Sequence, residues 1–223
     1  ACSFSMSASP GGSGANPSEP IGKNQGDEGE GAETGRCEKA LLVAPGVRFK
    51  SRHYPHGTQF DDLRDGAIDL SITVDGGLPG WVASEVLFEE TALVVADAVN
   101  PLIGKRLTMK TYTACPHVIM APDGGGRNWI DDLLAEQGKS RTVQHTVSHF
   151  LAVPGIIRGT RMISTMPRRL AEALGRADGL VTYALPMPAP AHRIVQAWPK
   201  RLERDPVHRW LRSEIRGATE GVK

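Results

Sequence analysis

Strand-like and helix-like segments alternate along the chain from about residue 40 to residue 217, and this alternation restricts the possible folds more than any other feature. The strand-like segments are short and apolar, such as GVRFKSRHY (46–54), AIDLSITV (67–74), ETALVVAD (90–97) and HVIMA (117–121). The helical segments between them end at glycines such as Gly66, Gly138 and Gly159, which suit the left-handed conformation that follows many helices. The alternation predicts an α/β fold with largely parallel sheets, in which ligands bind near the carboxyl ends of the strands.

The last helical segment, DPVHRWLRSEIRG (205–217), carries signals at both of its ends. Asp205 is predicted as the N-cap and Pro206 as the first helical residue, where its missing N–H does no harm. Gly217 is predicted to follow the last residue of this helix.

Residues 1–38 do not share the alternation. They are dominated by Gly, Ser, Ala, Pro and acidic residues, and Phe4, Met6 and Ile21 are nearly their only large apolar side chains. A segment with so little apolar surface cannot offset the entropy lost on ordering. We therefore predict a disordered, low-complexity N-terminal tail.

Charge and cysteine content limit the class of protein. The net charge of the chain is +1, but residues 157–223 hold 13 Lys and Arg against 6 Asp and Glu. These arginines fit solvated helix faces, with a nucleic acid or an acidic partner as the alternative. Three cysteines without a CxxC pair favour a reducing, cytoplasmic location. The chain has no apolar run long enough to span a bilayer and no signal-peptide pattern, so we expect no membrane association.

The motifs of several enzyme classes are missing from the sequence. It contains neither the GxSxG elbow of hydrolases nor the GxxxxGK[ST] loop of nucleotide-binding proteins. His53 and His56 are separated by a proline and have no cysteine or acidic partner at metal-ligand spacing. We therefore expect no catalytic activity, no metal site and no cofactor.

The glycine-rich stretch APDGGGRNW (121–129) is the first candidate ligand site. Glycines such as Gly125 let backbone amides approach a ligand closely, and the stretch leads into a helix whose N-terminus favours an anion. Arg127 could add a bidentate contact to a carboxylate, beside Asp123 of the same loop. The alternative is a tight connection between a strand and a helix that binds nothing.

The second candidate site lies in TVSHFLAVPG (146–155), where another strand leads into another helix. Ser148 is predicted as the N-cap, which puts His149 in the first helical turn. Pro154 would then fall at about the sixth helical position, where proline kinks a helix or removes a hydrogen bond. Either the helix bends there or its regular part begins later, which would leave His149 in a loop. The alternative to ligand contact is a half-buried histidine that is satisfied by the backbone.

Four stretches together resemble one family, the LysR-type transcriptional regulators. They are FDDLRDGAIDLSI, SEVLFEETALVVADAVNPL, VSHFLAVPGIIRGTRMISTMPRRLA and RDPVHRWLRSEI, in this order between about residues 40 and 217. The last two are similar to the branch of the family that senses aromatic compounds and flavonoids. The resemblance is to the family's effector-binding domain.

The resemblance implies a type 2 periplasmic-binding-protein-like fold, with two Rossmann-like α/β lobes that two crossover strands join. Residues 39–93 and 191–217 would form the first lobe, residues 94–190 the second, and residues 218–223 a C-terminal tail. A small aromatic or carboxylate effector would bind in the cleft between the lobes and regulate transcription. An alternative with the same fold is a cytoplasmic or exported solute-binding protein.

The resemblance also implies the effector-binding residues. His149 matches a histidine that lies beside the effector in the aromatic-sensing branch, and its neighbours Ser148 and Phe150 are included with it. The loop from Asp123 through Gly125 to Arg127 matches a loop of the cleft. Three further residues are expected to contact the effector from strands, namely Thr73, Thr165 and Arg193.

The partners implied by the resemblance are a small-molecule effector and further copies of the chain, as a dimer or tetramer. The family's N-terminal helix-turn-helix is absent from the low-complexity segment, so promoter DNA and RNA polymerase would be contacted only by a full-length regulator. We expect the chain to be a truncated or partly frame-shifted regulator in which the first strand of the first lobe is missing.

Overall fold

A computed structural model divides the chain into two compact units. Lobe one comprises Ala1–Leu87 and Val195–Lys223, and lobe two comprises Phe88–Ile194. The sequence prediction put these two divisions at 93/94 and 190/191, a few residues from where the structure has them. The structure describes residues 2–8, 47–54, 57–121, 124–175 and 179–219.

The described strands and helices follow the predicted order, with two strands added to it, Cys2–Ala8 and Val82–Glu90. The strands are β1 (Cys2–Ala8), β2 (Val47–His53), β3 (Leu70–Val74), β4 (Val82–Glu90), β5 (Ala92–Asp97), β6 (Pro116–Met120), β7 (Thr142–Val147), β8 (Ile163–Pro167), β9 (Leu180–Ala184) and β10 (His192–Pro199). The α-helices are α1 (Gln59–Asp65), α2 (Met109–Ala114), α3 (Trp129–Glu136), α4 (Val153–Ile157), α5 (Arg168–Gly175) and α6 (Pro206–Thr219). Short 3₁₀ turns precede α4 and α6, at Phe150–Ala152 and Lys200–Leu202.

Lobe one contains a five-stranded sheet in the order β2-β1-β3-β10-β4. Strand β1 lies between β2 and β3 and is antiparallel to both, with a register from Cys2 opposite His53 to Ala8 opposite Val47. The predictions of disorder for residues 2–8 and of a missing first strand are therefore wrong. The stretch CSFSMSA alternates apolar residues with serines, the two-residue period of a strand. It pairs with β2 from Cys2 to Ala8 and with β3 from Cys2 to Phe4. The rest of the predicted tail, residues 9–38, lies outside the described residues.

The structure agrees with the predicted start of α6 but not with its predicted end. Asp205 accepts a hydrogen bond from the His208 N–H at 2.7 Å, as an N-cap does, so that prediction is confirmed. The helix continues through Gly217 to Thr219, so the predicted end is wrong. Gly217 does not adopt the left-handed conformation that would end the helix, and Ala218 and Thr219 are part of the helix.

Lobe two contains a five-stranded sheet in the order β7-β6-β8-β5-β9. Strands β6, β7 and β8 run parallel, whereas β5 is antiparallel to its neighbours β8 and β9. Helices α2 and α3 cover one face with Tyr112, Ile130 and Leu134, and α4 and α5 cover the other with Ile157 and Ala171. The prediction of an α/β fold with a largely parallel sheet is confirmed for this lobe.

No helix among the described residues has both the length and the apolar character needed to cross a lipid bilayer.

Candidate functional site

Most of the predicted effector-binding residues lie just after the carboxyl ends of strands in the lobe two sheet. The parallel strands β6 and β7 pair as far as Met120 and Val147, and the Ala121 N–H donates to the Val147 carbonyl oxygen at 2.9 Å. The glycine-rich loop after β6 and the residues Ser148 and His149 after β7 therefore leave the sheet side by side. In α/β sheets, ligands bind at the carboxyl ends of the strands.

His149 lies in an extended segment that precedes the helix. Its backbone has φ −142° and ψ 138°, and a 3₁₀ turn separates it from α4, which begins at Val153. Ser148 is therefore not the N-cap of a regular helix, and the alternative that left His149 in a loop is confirmed. Starting the helix at Val153 puts Pro154 in its first turn, where the missing N–H and the ring are tolerated.

The side chains of this segment differ in burial. Ser148 and His149 are exposed, whereas Phe150 is half-buried and packs against the core beneath α4 and α5. The phenyl ring thus anchors the segment, and the hydroxyl and imidazole beside it can donate and accept hydrogen bonds. This combination suits recognition of a ligand that has both polar and apolar parts.

The glycine-rich loop is less suited to an anion than its sequence indicates. Arg127 forms an ion pair with Asp132 at 2.5 Å, and both side chains are about two-thirds exposed. Asn128 caps α3 in a capping box with Asp131, so carboxylates of the chain itself already occupy this helix start. A ligand carboxylate would have to displace Asp132 from Arg127. Gly125 is half-buried in this loop, and Asp123 lies outside the described residues.

A buried arginine that the sequence did not indicate holds the start of α3 in place. The side chain of Arg141 is 0% exposed, and its Nε and Nη2 each donate to a carboxylate oxygen of Asp131 at 2.9 Å. Nη2 also donates to Asn128 Oδ1 at 2.9 Å. Burial raises the pKa of Asp131, but the hydrogen bonds from Arg141 and the Asn128 N–H outweigh this effect and lower it. In the sequence, Arg141 stands between a polar turn and a strand, where arginine is usually exposed.

Thr165 lies on β8 and shares a hydrogen bond of 2.8 Å with the hydroxyl of the buried Tyr112. Burial raises the pKa of Tyr112, which keeps this phenol neutral. His117 donates from Nε2 to the Tyr112 carbonyl oxygen at 2.8 Å and meets the Tyr112 ring edge-on at 4.7 Å. The hydroxyl of Thr165 is thus directed towards the core beneath α2, and its contact with an effector stays a prediction.

The two other predicted residues are on different elements. Thr73, in β3 of lobe one, is 4% exposed and accepts a hydrogen bond from Gln59 Nε2 at 3.4 Å. Gln59 is fully buried, and its Oε1 has no partner among the described atoms. Arg193 is exposed on β10. The sequence did not single out Gln59, because a glutamine in the first turn of an amphipathic helix is usually solvated.

The described residues offer no group of three or more His, Cys, Asp or Glu side chains that could hold a metal ion.

Comparisons with known proteins give one consistent family. The LysR substrate binding domain model matches residues 38–220. The chain is 29% identical over 177 residues to Nodulation protein D 3 of Mesorhizobium japonicum, which covers 78% of this chain and 58% of that protein. The chain thus spans little more than half the length of the curated relatives it matches.

Solved structures show the same fold. The regulatory domain of MexT, a transcriptional activator in Pseudomonas aeruginosa, matches with a TM-score of 0.71 and 25% identity, over 84% of this chain and 91% of that one. The effector binding domain of QuiR in complex with shikimate matches with a TM-score of 0.66 and 17% identity, over 86% of this chain and 92% of that one. The second likeness supports the fold alone.

Proposed function

The chain belongs to the LysR substrate binding domain family, and from this we propose that it is the effector-sensing part of a transcriptional regulator and performs no catalysis. The chain is homologous to effector-binding domains of such regulators, with the two-lobed α/β fold predicted from the sequence. The observation that carries the proposal is the family match over residues 38–220, which includes both lobes. A family of ligand-binding domains makes binding, rather than a reaction, the activity to test.

We propose a small aromatic or carboxylate effector that contacts Ser148, His149 and Phe150. The imidazole and hydroxyl provide hydrogen bonds to polar groups of the effector, and the half-buried ring provides an apolar contact. The ligand class rests on the resemblance of VSHFLAVPGIIRGTRMISTMPRRLA to the branch of the family that senses aromatic compounds. Arg127 joins the site only if the effector replaces Asp132.

The rest of the proposal concerns the whole regulator. The chain spans little more than half the length of the matched relatives, and promoter DNA and RNA polymerase would be contacted by the full-length regulator. We propose that the regulator works in the cytoplasm as a homodimer or homotetramer. Effector binding then shifts the equilibrium between its conformational states, and the coupling between effector and DNA is reciprocal.

A thermal-shift screen of the chain against aromatic acids and flavonoids tests the function directly. A ligand that binds only the folded state at 100 times its dissociation constant stabilises that state by about 2.7 kcal/mol, which raises the melting temperature measurably. A panel of sugars and amino acids serves as the comparison set. Stabilisation by sugars or amino acids and none by aromatic acids or flavonoids would contradict the proposed ligand class.

His149→Ala is expected to weaken binding of an effector found in this screen about tenfold, which corresponds to about 1.4 kcal/mol. The melting temperature of the free protein should stay close to that of the wild type, because the side chain is exposed. Calorimetric titration measures the affinity, and His145→Ala, an exposed histidine on β7, is the matched control. A lower melting temperature with unchanged affinity of the folded fraction would show that His149 is structural.

A further inference from the structure

A surface groove of about 790 Å³ lies in lobe one between α6 and strand β4. None of its lining residues belongs to lobe two, which contains His149. Its walls include Trp198, Trp210 and Ser213 together with three arginines and two glutamates. The proposed function uses none of these residues.

One wall of the groove is a single face of α6. Pro206, Arg209, Ser213 and Arg216 all line it, and their spacing of three or four residues places them in one row along a helix. Ten residues of helix separate the first from the last, which at 1.5 Å per residue is about 15 Å. An extended peptide of four or five residues has the same length at about 3.3 Å per residue.

The opposite wall is the edge of a sheet. Strand β4 is the last strand in the order of the lobe one sheet, and Ala83, Ser84 and Glu85 of this strand line the groove. Within the part of the chain that the structure describes, no strand pairs with the outer side of β4. An edge strand presents outward N–H and C=O groups that a further extended chain can pair with.

Three arginines and two glutamates line the groove, and both glutamates accept hydrogen bonds within lobe one, Glu203 from Trp198 Nε1 at 2.8 Å. Glu85 is engaged within lobe one, since it accepts from Gln196 Nε2 at 2.7 Å and from Arg216 Nη1 at 2.8 Å. Arg212 is turned inward and donates to the His208 ring nitrogen Nδ1 at 2.9 Å. Arg209 is exposed, and its guanidinium meets no carboxylate among the described residues. The helix wall therefore offers an unneutralised cation to whatever enters the groove.

We propose that this groove binds a short, extended, acidic segment of a partner protein, which adds to the edge of β4 and places a carboxylate on Arg209. The free strand edge selects an extended backbone, and the length of the helix wall limits the bound part to four or five residues. The charge on Arg209 selects acidic side chains, and Trp210 provides apolar surface beside them. Three arginines of the basic last third of the sequence, Arg209, Arg212 and Arg216, line this groove.

Tryptophan fluorescence of the whole chain measures this binding, because Trp198 and Trp210 line the groove. The probe is the blocked pentapeptide with the sequence Glu-Val-Glu-Val-Glu. We expect saturable binding of this probe and at least tenfold weaker binding of the peptide with lysine in place of glutamate. Arg209→Glu should weaken the acidic probe at least tenfold, whereas Arg161→Glu, the same change at an exposed arginine of lobe two, should leave its affinity within twofold.

Three further measurements distinguish an acidic peptide paired with β4 from other molecules that could occupy the groove. Methylation of alternate backbone nitrogens of the probe should reduce its affinity at least tenfold, and equal affinity would overturn the pairing with β4. Displacement of the probe by free glutarate at the peptide's own concentration would show a site for small anions and overturn the proposal. A self-associated protein that Arg209→Glu converts to monomers in analytical ultracentrifugation would assign the groove to a second copy, which also overturns it.

Discussion

Arg141→Met is expected to lower the free energy of unfolding of lobe two by about 3 to 5 kcal/mol, the effect of removing one partner from a buried ion pair. The guanidinium is fully buried and bidentate on Asp131, whose side chain is only 14% exposed. Without Arg141, Asp131 keeps its hydrogen bond from the Asn128 N–H but loses the opposite charge. The uncompensated carboxylate then opposes folding, and the start of α3 loses the contact that holds Asn128 in place.

Hydrogen exchange of the slowest amides in β6 and β8 reports the stability of lobe two separately from lobe one. Arg168→Met is the matched control, because Arg168 forms an ion pair with Glu172 that is about half exposed. An exposed pair of this kind contributes less than about 1 kcal/mol. Equal losses for the two variants would contradict the structural role assigned to Arg141.

Acidification from pH 7.5 to pH 4 is expected to remove roughly 3 kcal/mol of stability through His117 alone, counted from the difference between pKa values of 6.5 and about 4. Burial lowers the pKa of His117 to about 4, because a proton added to the ring would be fully desolvated. Its Nδ1 has no partner among the described atoms to receive such a proton. Between pH 6.5 and about pH 4, His117 is protonated in the unfolded chain but stays neutral in the folded chain. The contribution of His117 to the free energy of unfolding is therefore fully present above pH 6.5 and is lost progressively as the pH falls to about 4.

Urea unfolding at a series of pH values, followed by circular dichroism, measures this loss. His117→Gln keeps a side-chain donor for the Tyr112 carbonyl oxygen but does not titrate, so its stability should depend less steeply on pH between 6.5 and 4. His145→Gln, at an exposed position, should follow the wild-type curve. A His117→Gln curve parallel to the wild type would mean that His117 is not the group responsible.

Local signals in the sequence predicted the secondary structure well where a single residue decides the backbone conformation. Gly66, Gly138 and Gly159 all adopt the left-handed conformation just after helices, as expected from their positions. Strand β5 is buried from Val94 to Asp97, in agreement with its apolar run. These features depend on residues within about one turn of each other, so that the sequence displays them directly.

The missed elements have a different cause. Strand β1 has a clear two-residue period, but serines occupy every second position and a low-complexity stretch follows. Its place in the sheet depends on β2 and β3, and β2 begins almost forty residues later. Composition averaged over residues 1–38 therefore concealed a strand that pairing between distant segments stabilises.

The sequence by itself determined the α/β class, the family and the position of the segment from Ser148 to Phe150 after a parallel strand. Only the tertiary structure decided which polar side chains are engaged within the chain. It pairs Arg127 with Asp132 and buries Arg141 on Asp131. The physical reason is range, since turns and helix ends depend on neighbouring residues, whereas burial and ion pairing depend on side chains that the fold brings together.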